Sequence, residues 1–316
     1  MPTETRNLRV TATALNVRDR PSTSGAILGQ VVQDEILDWY GTSTNGQWHE
    51  VSRGSLRGYA YYQFLTPTDA PSPIDDLLRI AATSAIATYS WASRGRAPAG
   101  YIKGMALCFG RMFYKLQDRN PGAIEMAKAN TGVTTSDVLA YYATQFRDLR
   151  MSNEAAGVTT LRHLFALMLG LGMRESSGRY CEGRDRSATN VTADTAEAGL
   201  FQTSWNIRSC STLIPPLLPD YKARPTSGFK DIFAEGVTVR TGDLDNFGTG
   251  DGRDFQELSK SCPAFGVEVA AIGLRNRRSH WGPINRRDAE LRADSDRLFL
   301  DIQHVVETRN LRAYLL

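Results

Sequence analysis

Residues 164–178 of this 316-residue chain read LFALMLGLGMRESSG, and this stretch decides the fold of the larger part of the protein. Leu164–Met173 is the longest uninterrupted apolar run. Because it has no polar face, it predicts a helix that runs through a core. It is far shorter than the ~18 residues that a membrane span needs. The following Ser176-Ser177-Gly178 predicts the end of the helix and places Glu175 in its last turn.

Glu175 has the properties of a general acid. Apolar surroundings and the negative end of the helix dipole both oppose ionisation of its carboxyl group, so we expect a raised pKa. A carboxyl that stays protonated near neutral pH can donate a proton in catalysis. A purely structural ion pair with Arg174 or Arg179 is the alternative that position alone leaves open.

A second informative stretch, TAEAGLFQTSWN, occupies residues 195–206. Glu-Ser-Ser-Gly followed at this spacing by Gly-Leu-Phe-Gln resembles the lysozyme-like superfamily, in particular goose-type lysozymes and lytic transglycosylases. The resemblance covers residues 161–206 and implies a mainly α-helical lysozyme-like domain. It implies cleavage of the β-1,4 bond between N-acetylmuramic acid and N-acetylglucosamine, with Glu175 as the acid. It also implies a cleft floor formed by Gly199, Leu200, Phe201 and Gln202.

A weaker correspondence involves His280 and Trp281. They lie where transglycosylases carry a tyrosine-containing motif after a helix, which implies contact with substrate. A plain turn between two helices is the alternative.

A second carboxylate decides the reaction type, since inverting hydrolysis needs a base roughly 6.5–9.5 Å from the acid. Ser204 stands where goose-type enzymes carry one such acid, so the base must come from the loop. Asp194 lies closest to the goose-type loop position and Glu197 lies beside the cleft motif, so both are candidates. Without a base, the sugar's own 6-hydroxyl could attack in a transglycosylase reaction. The loop carboxylates are Glu182, Asp185, Asp194 and Glu197.

The first 67 residues predict a small all-β barrel. Short runs rich in β-branched and aromatic residues alternate with turn signals, and closure into a barrel would leave no exposed edges. Six arginines balance six acidic residues here, so the formal net charge of +3 belongs to the rest of the chain. The predicted strands are Ala14–Arg18, Ala26–Val32, Glu35–Gly41, Trp48–Ser52 and Gly58–Tyr61.

This part resembles the bacterial SH3 family. The resemblance rests on LNVRDRPS at residues 15–22, QWHEV at 47–51 and GYA at 58–60. It implies a targeting module that binds cell-wall peptides or glycans. About half of the aromatics of this part should face the core, because successive side chains of a strand alternate, and we predict that Tyr40, Tyr61 and Tyr62 are the exposed, wall-binding ones.

The organisation that follows is multidomain: a β domain at residues 1–67, a proline-containing linker at 68–76 and a lysozyme-like domain at 77–316. Between residues 195 and 262 prolines and glycines predict loops in which a cleft could form. Helices are predicted at 74–93, 101–117, 124–130, 135–147, 160–174, 264–278 and 287–307.

Composition excludes several classes of protein. Hydrophobic residues make up 41% and charged residues 22% of the chain, which rules out long intrinsic disorder. The basic cluster at Arg275, Arg277, Arg278, Arg286 and Arg287 lacks a nucleic-acid fold signature, so an acidic peptide or solvent is the better partner. No cofactor or metal is predicted, since the aspartates of 243–254 lack calcium-loop spacing. We expect a monomer that acts on peptidoglycan outside the membrane, although the N-terminus shows no signal peptide.

Two alternatives in other classes remain. A cell-wall peptidase would need a reactive cysteine beside a histidine, and a non-catalytic wall-binding protein would need neither. The cysteines show no zinc or thioredoxin spacing, and one or two disulfides remain possible. The cysteines are Cys108, Cys181, Cys210 and Cys262.

Overall fold

The computed structural model describes residues 7–187, 191–223 and 228–316. The first six residues, which enter the signal-peptide prediction, lie outside these ranges. The chain forms two compact units, one of residues 7–76 with Asn310–Leu316 and one of Leu77–Ala223 with Gly228–Arg309. Within the described ranges no helix combines the length and apolar character that crossing a membrane requires.

The first unit is an antiparallel β-sheet. Its seven described strands are paired in the order β3-β2-β6-β5-β4-β1-β7, and every strand contributes to one cluster of buried side chains. The sheet therefore curls around a single interior, as the alternation of apolar residues requires. The strands are β1 (Asn7–Val10), β2 (Ala14–Arg18), β3 (Ile27–Val32), β4 (Ile36–Thr42), β5 (Trp48–Arg53), β6 (Leu56–Tyr61) and β7 (Leu65–Thr68).

All five predicted strands are present, each with ends within two residues of the prediction. The sequence missed β1 and β7, which pair with each other and are short. The predicted linker at 68–76 starts on the last residue of β7 and overlaps the first helix, α1 (Asp75–Thr83).

The C-terminal segment Asn310–Leu316 belongs to the β unit. The N–H of Ile36 donates to the Tyr314 hydroxyl at 3.3 Å, and Leu315 is fully buried. Assigning all of 77–316 to the helical domain placed this segment in the wrong unit, because its contacts are long-range and leave no local pattern.

The second unit is mainly helical. Its centre is α7 (Val158–Ser176), whose side chains from Thr160 to Met173 are all buried. It packs against three other helices: α3 (Ala99–Gln117), α4 (Pro121–Ala127) and α13 (Ala293–Thr308). Phe109, Phe165 and Phe299 join three of these helices through ring contacts of 5.2–5.7 Å between centroids. The predicted central helix is thus confirmed.

Three helix predictions need correction. The predicted helix at 74–93 is divided into α1 and α2 (Ala85–Thr88), followed by a hairpin of β8 (Ser90–Trp91) and β9 (Gly95–Arg96). The helix predicted at 135–147 is divided into α5 (Val138–Tyr141) and α6 (Ala143–Asp148). The final helix, predicted from residue 287, starts at Ala293.

The remaining helices are α8 (Leu217–Ala223), α9 (Lys230–Phe233), α10 (Asp251–Ser261), α11 (Pro263–Asn276), α12 (Gly282–Asn285) and α14 (Arg312–Leu315), with 3₁₀ turns at Tyr62–Phe64, Trp205–Cys210 and Arg278–His280. Three of these helices, α8 to α10, lie in the region predicted as loop-rich. The prolines and glycines of this region weaken the local helix signal, and tertiary contacts stabilise the helices instead.

Candidate active site

Glu175 lies half-buried in the last turn of α7. The helix closes at Ser177, which is left-handed and donates its N–H to the Met173 carbonyl at 3.0 Å. Burial raises the pKa of Glu175 to about 8, and the negative charge of Glu197 adds to the shift. The carboxyl group is thus largely protonated at neutral pH.

Three arginines surround this carboxyl group: Arg286, Arg94 and Arg174 each lower the pKa of Glu175, but less than burial raises it. Arg94 donates to the backbone carbonyl of Arg174 at 2.5 Å, which fixes the Arg94 side chain at the end of α7. The carboxyl group of Glu175 is therefore partly desolvated and lies in the electrostatic field of three arginines.

The Gly199–Gln202 motif forms a tight turn closed by a bridge between Ala198 and Thr203. Gly199 has a φ of +73°, and a Cβ there would lie 2.9 Å from the Ser259 carbonyl oxygen, so the turn requires glycine. The Ser176 hydroxyl donates to the Leu200 carbonyl at 2.7 Å, which ties the turn to α7 beside Glu175. The two sequence motifs therefore meet in space.

The side chains of this turn face mainly inward. Leu200 and Phe201 are each 2% exposed and Trp281 is 1% exposed. The indole N–H of Trp281 donates to the Phe201 carbonyl at 3.0 Å, so Trp281 supports the turn from behind. The structure thus disfavours the predicted contact of these three side chains with a ligand. Only the half-buried Gln202 retains part of its surface in solvent.

His280 lies directly before Trp281 and packs edge-on against its indole ring at 4.9 Å. Burial, with help from the charge of Arg277, lowers the pKa of His280 to about 4, so the ring is neutral. Its Nε2 is buried and has no hydrogen-bond partner among the described residues. Its predicted contact with substrate stays a prediction.

The two candidate bases differ clearly in their surroundings. Asp194 is held by Arg208 at 2.6 Å, and its backbone carbonyl accepts the N–H of Asn206 at 2.9 Å. Glu197 is exposed, and partial desolvation together with the charge of Asp185 raises its pKa. The charge of Glu197 also raises the pKa of Glu175, so Glu197 lies within electrostatic range of that carboxyl group, whereas Asp194 is engaged in an ion pair.

The other loop carboxylates are also engaged. Glu182 pairs with Arg179 at 2.7 Å, and its backbone carbonyl accepts the N–H of Gly199 at 2.8 Å. Asp185 accepts the backbone N–H and hydroxyl of Ser187. Glu182 therefore positions the Gly199–Gln202 turn, hereafter the cleft turn after its predicted role, and Asp185 remains at the surface.

The arginines of the basic cluster identified in the sequence have different surroundings and partners in the structure. Arg275 is buried and pairs with Asp137 at 2.9 Å, so it is a core residue. Arg278 and Arg287 stack on the ring of Tyr141 at 3.5 and 4.2 Å from its centroid. Arg286 is the member whose charge acts on Glu175, and its side chain pairs with Asp288. Sequence reasoning missed Arg94, which no local pattern links to the acid.

In the β unit the three tyrosines predicted to bind the wall differ in solvent exposure. Tyr40 and Tyr62 are each 45% exposed, as predicted. Tyr61 is half-buried and packs against Trp48, with ring centroids 5.4 Å apart. Tyr40 lies beneath the guanidinium of Arg57 at 4.1 Å, which shields one face of its ring.

A groove of about 530 Å³ lies on the surface of this unit. It contains Tyr61 and much of the LNVRDRPS motif, but neither Tyr40 nor Tyr62. Sequence analysis missed its other aromatics, Trp48 and Phe64, of which Phe64 is 41% exposed. The groove is lined by Ala14, Leu15, Asn16, Arg18, Pro21, Ser22, Thr23, Asn45, Gln47, Trp48, Tyr61 and Phe64.

All four cysteines are free thiols. Burial raises the pKa of each one, to about 11 for Cys210 and Cys262 and in the same direction for Cys108 and Cys181. A positive charge near each thiol lowers its pKa, but burial raises the pKa by more, which disfavours a thiolate at neutral pH.

Comparison with known proteins gives a clear result for the β unit alone. Neither the curated proteins nor the solved structures contain a match to this chain. One family model, described as Bacterial SH3 domain, matches residues 13–66. These residues include β2–β6 and the groove, and domains of this kind typically bind the cell wall. Residues 13–66 are therefore a bacterial SH3 domain, which is followed by a mainly helical region.

Proposed function

We propose that the helical unit cleaves the glycan strands of peptidoglycan and that the SH3 domain holds it on the wall. The observation that carries this proposal is the raised pKa of Glu175 beside Glu197, at a turn that α7 itself positions. A protonated carboxyl paired with a second carboxylate is the arrangement that glycoside hydrolysis uses.

The proposed chemistry assigns one role to each carboxyl group. Glu175 donates its proton to the departing glycosidic oxygen, which assists breakage of the bond between N-acetylmuramic acid and N-acetylglucosamine. Glu197 removes a proton from a water molecule that attacks the anomeric carbon. The arginines at the edge of the site favour an anionic glycan over a neutral one.

Replacement of the acid tests the proposal. Glu175→Gln should reduce clearing of a purified wall suspension by about a hundred- to ten-thousandfold, since general acid catalysis contributes that much. Wall binding in a sedimentation assay should not change. Glu257→Gln, at an exposed carboxylate of α10 that pairs with Arg253, is the matched control and should keep full activity. Clearing by the Glu175→Gln variant at the normal rate would show the assignment to be wrong.

The same digest separates hydrolysis from the transglycosylase alternative. Mass spectrometry of the fragments distinguishes reducing ends, which contain the added water, from 1,6-anhydro ends, which do not. Glu197→Gln should slow a hydrolase by about a hundred- to ten-thousandfold but leave much of the activity of a transglycosylase, because in the latter the sugar's own hydroxyl attacks.

A cysteine peptidase is the less favoured alternative. The raised thiol pKa values argue against a nucleophilic cysteine. Alkylation with iodoacetamide should therefore leave wall clearing unchanged, and release of free amino termini from the wall would support the peptidase instead.

A further inference from the structure

A second pocket in the helical unit lies between the segments 184–186 and 242–247. Its volume is about 330 Å³, and the motifs discussed above do not include it. Its lining combines two arginines, one carboxylate, one amide and one aromatic ring. The lining residues are Arg184, Arg186, Gly242, Asp245, Asn246 and Phe247.

Two polar side chains of this pocket, Arg184 and Asn246, have incomplete ion pairing or hydrogen bonding within the described residues. Arg184 stacks on the ring of Phe247 at 4.6 Å, and no carboxylate in ranges 7–187, 191–223 and 228–316 forms an ion pair with it. Arg186 pairs with Asp245, so among the residues that line the pocket one positive charge remains, on Arg184. The Oδ1 of Asn246 is buried and accepts no hydrogen bond from any described residue. Such an oxygen is costly to leave unpaired and is suited to accept an N–H from a ligand.

The wall of the pocket is held in place by buried polar groups. The carboxamide of Gln256, which is fully buried, accepts the N–H of Phe247 at 2.8 Å and donates to its carbonyl at 3.1 Å. The buried Lys260 donates to the carbonyl of Asp245 at 2.6 Å. The Phe247 ring is nevertheless 36% exposed. An apolar ring kept at the surface by a rigid frame is preorganised for a ligand.

The pocket adjoins the candidate active site. The segment that carries Arg184 starts at Glu182, whose carbonyl accepts the N–H of Gly199 in the cleft turn at 2.8 Å. Asp185, between the two arginines, is close enough to Glu197 to raise its pKa. A ligand in the pocket would therefore lie near Glu197.

We infer that this pocket binds the acidic peptide stem of the glycan substrate, an inference that rests on the proposed function. A carboxylate of the peptide pairs with Arg184, an amide N–H of its backbone donates to Asn246, and its small apolar side chains lie on Phe247. A neutral glycan offers no partner for the arginine, whereas an acidic peptide satisfies all three groups.

Binding and cleavage test the inference separately. In calorimetry with the full chain, the synthetic peptide Ala-γ-Glu-Lys-Ala should bind, and Arg184→Ala should weaken binding about tenfold, as expected for one charge-assisted contact. Arg253→Ala, which removes an exposed arginine of α10, is the control and should bind normally. No binding, or binding that Arg184→Ala leaves intact, would overturn the inference.

The second measurement compares wall glycan that carries its peptides with glycan from which an amidase has removed them. Arg184→Ala and Phe247→Ala should each lower kcat/KM on the first about tenfold and leave the second unchanged. Equal losses on both substrates would overturn the inference while glycan cleavage stands. If the wild-type chain cleaves neither but still binds the peptide, the proposed cleavage fails and the pocket stands.

Discussion

At the scale of the residue, Glu175 shows how one carboxyl group responds to opposing surroundings. Burial at the end of α7 and the charge of Glu197 raise its pKa, while Arg286, Arg94 and Arg174 lower it. The sequence predicted the raised pKa from burial, which the apolar run before Glu175 indicates, but it did not identify the charge of Glu197 as the second cause. It could not rank Asp194 against Glu197, since the pairing of Asp194 with Arg208 joins loop residues through their side chains.

The opposing effects of these charges on the pKa of Glu175 lead to a prediction about the pH dependence of kcat/KM. Glu175 acts as an acid only when protonated and Glu197 as a base only when ionised, so kcat/KM should be highest between the two pKa values and fall as the pH rises through about 8. Arg286→Ala removes a cation that favours the charged form, so it should move this fall to higher pH. Glu197→Gln removes a like charge and should move the fall of any residual activity to lower pH.

Initial rates on a soluble glycan fragment between pH 5 and pH 10 measure both shifts. Arg253→Ala provides the control, because this arginine pairs with Glu257 on the exposed face of α10. Displacement of both variants in the same direction would contradict the assignment of Glu175 as the titrating acid.

At the scale of the element, the accuracy of the sequence predictions depends on whether a signal is local. Helix α7 was predicted because its apolar run is continuous and its end carries a Ser-Ser-Gly stop. Helices α8 and α9 were missed because they are short and lie among prolines and glycines, and the longer α10 because several glycines precede and begin it. Strand β1 was missed as well, since it is short and pairs with the distant β7.

The contact between α7 and the cleft turn makes the second prediction. Ser176→Ala removes the hydroxyl that donates to the Leu200 carbonyl and leaves that oxygen without its partner. We expect a loss of about 1–3 kcal/mol in the free energy of unfolding, and a fall in kcat because the turn is no longer fixed beside Glu175. Urea denaturation and single-turnover rates measure the two effects. Thr308→Ala removes an exposed hydroxyl that bonds only within α13, so it should change neither.

The C-terminal segment makes the third prediction. Gly54 has a φ of +58°, and a Cβ there would lie 1.6 Å from the backbone oxygen of Tyr314. Gly54→Ala should therefore displace Asn310–Leu316 from the sheet and expose the amide of Ile36, which bonds to Tyr314. Gly46 is also left-handed but has nothing within 4 Å of an added Cβ.

The two glycines form a matched pair. Gly46→Ala should cost only the left-handed strain of about 1–2 kcal/mol, whereas Gly54→Ala should cost more and also lose protection at Ile36. Hydrogen exchange of the full chain measures this difference. Equal behaviour of the two variants would mean that the segment does not pack on Gly54 in solution.

At the scale of the whole molecule, the sequence predicted two domains of different fold class, because short strand-like runs give way to helical patterns near residue 70. The bacterial SH3 domain is confirmed at 13–66, and the mainly helical character of the rest is confirmed too. The lysozyme-like family and its reaction stay predictions, since they rest on two short motifs that the fold brings together.

The last prediction concerns the separate roles of the two units, in which the SH3 domain binds the wall and the helical unit cleaves it. A wall-bound SH3 domain raises the local concentration of the helical unit at its substrate, an advantage that exists only on the insoluble polymer. Phe64→Ala removes an exposed ring from the groove of the SH3 domain. Sedimentation with purified wall should show about five- to tenfold weaker binding, and wall clearing should slow accordingly, while cleavage of a soluble glycan fragment keeps its rate. Ile27→Ala, at a 55% exposed residue of β3 outside the groove, should behave like the unaltered chain in all three assays. If Phe64→Ala instead slows soluble and insoluble substrates equally, the groove is not a targeting site.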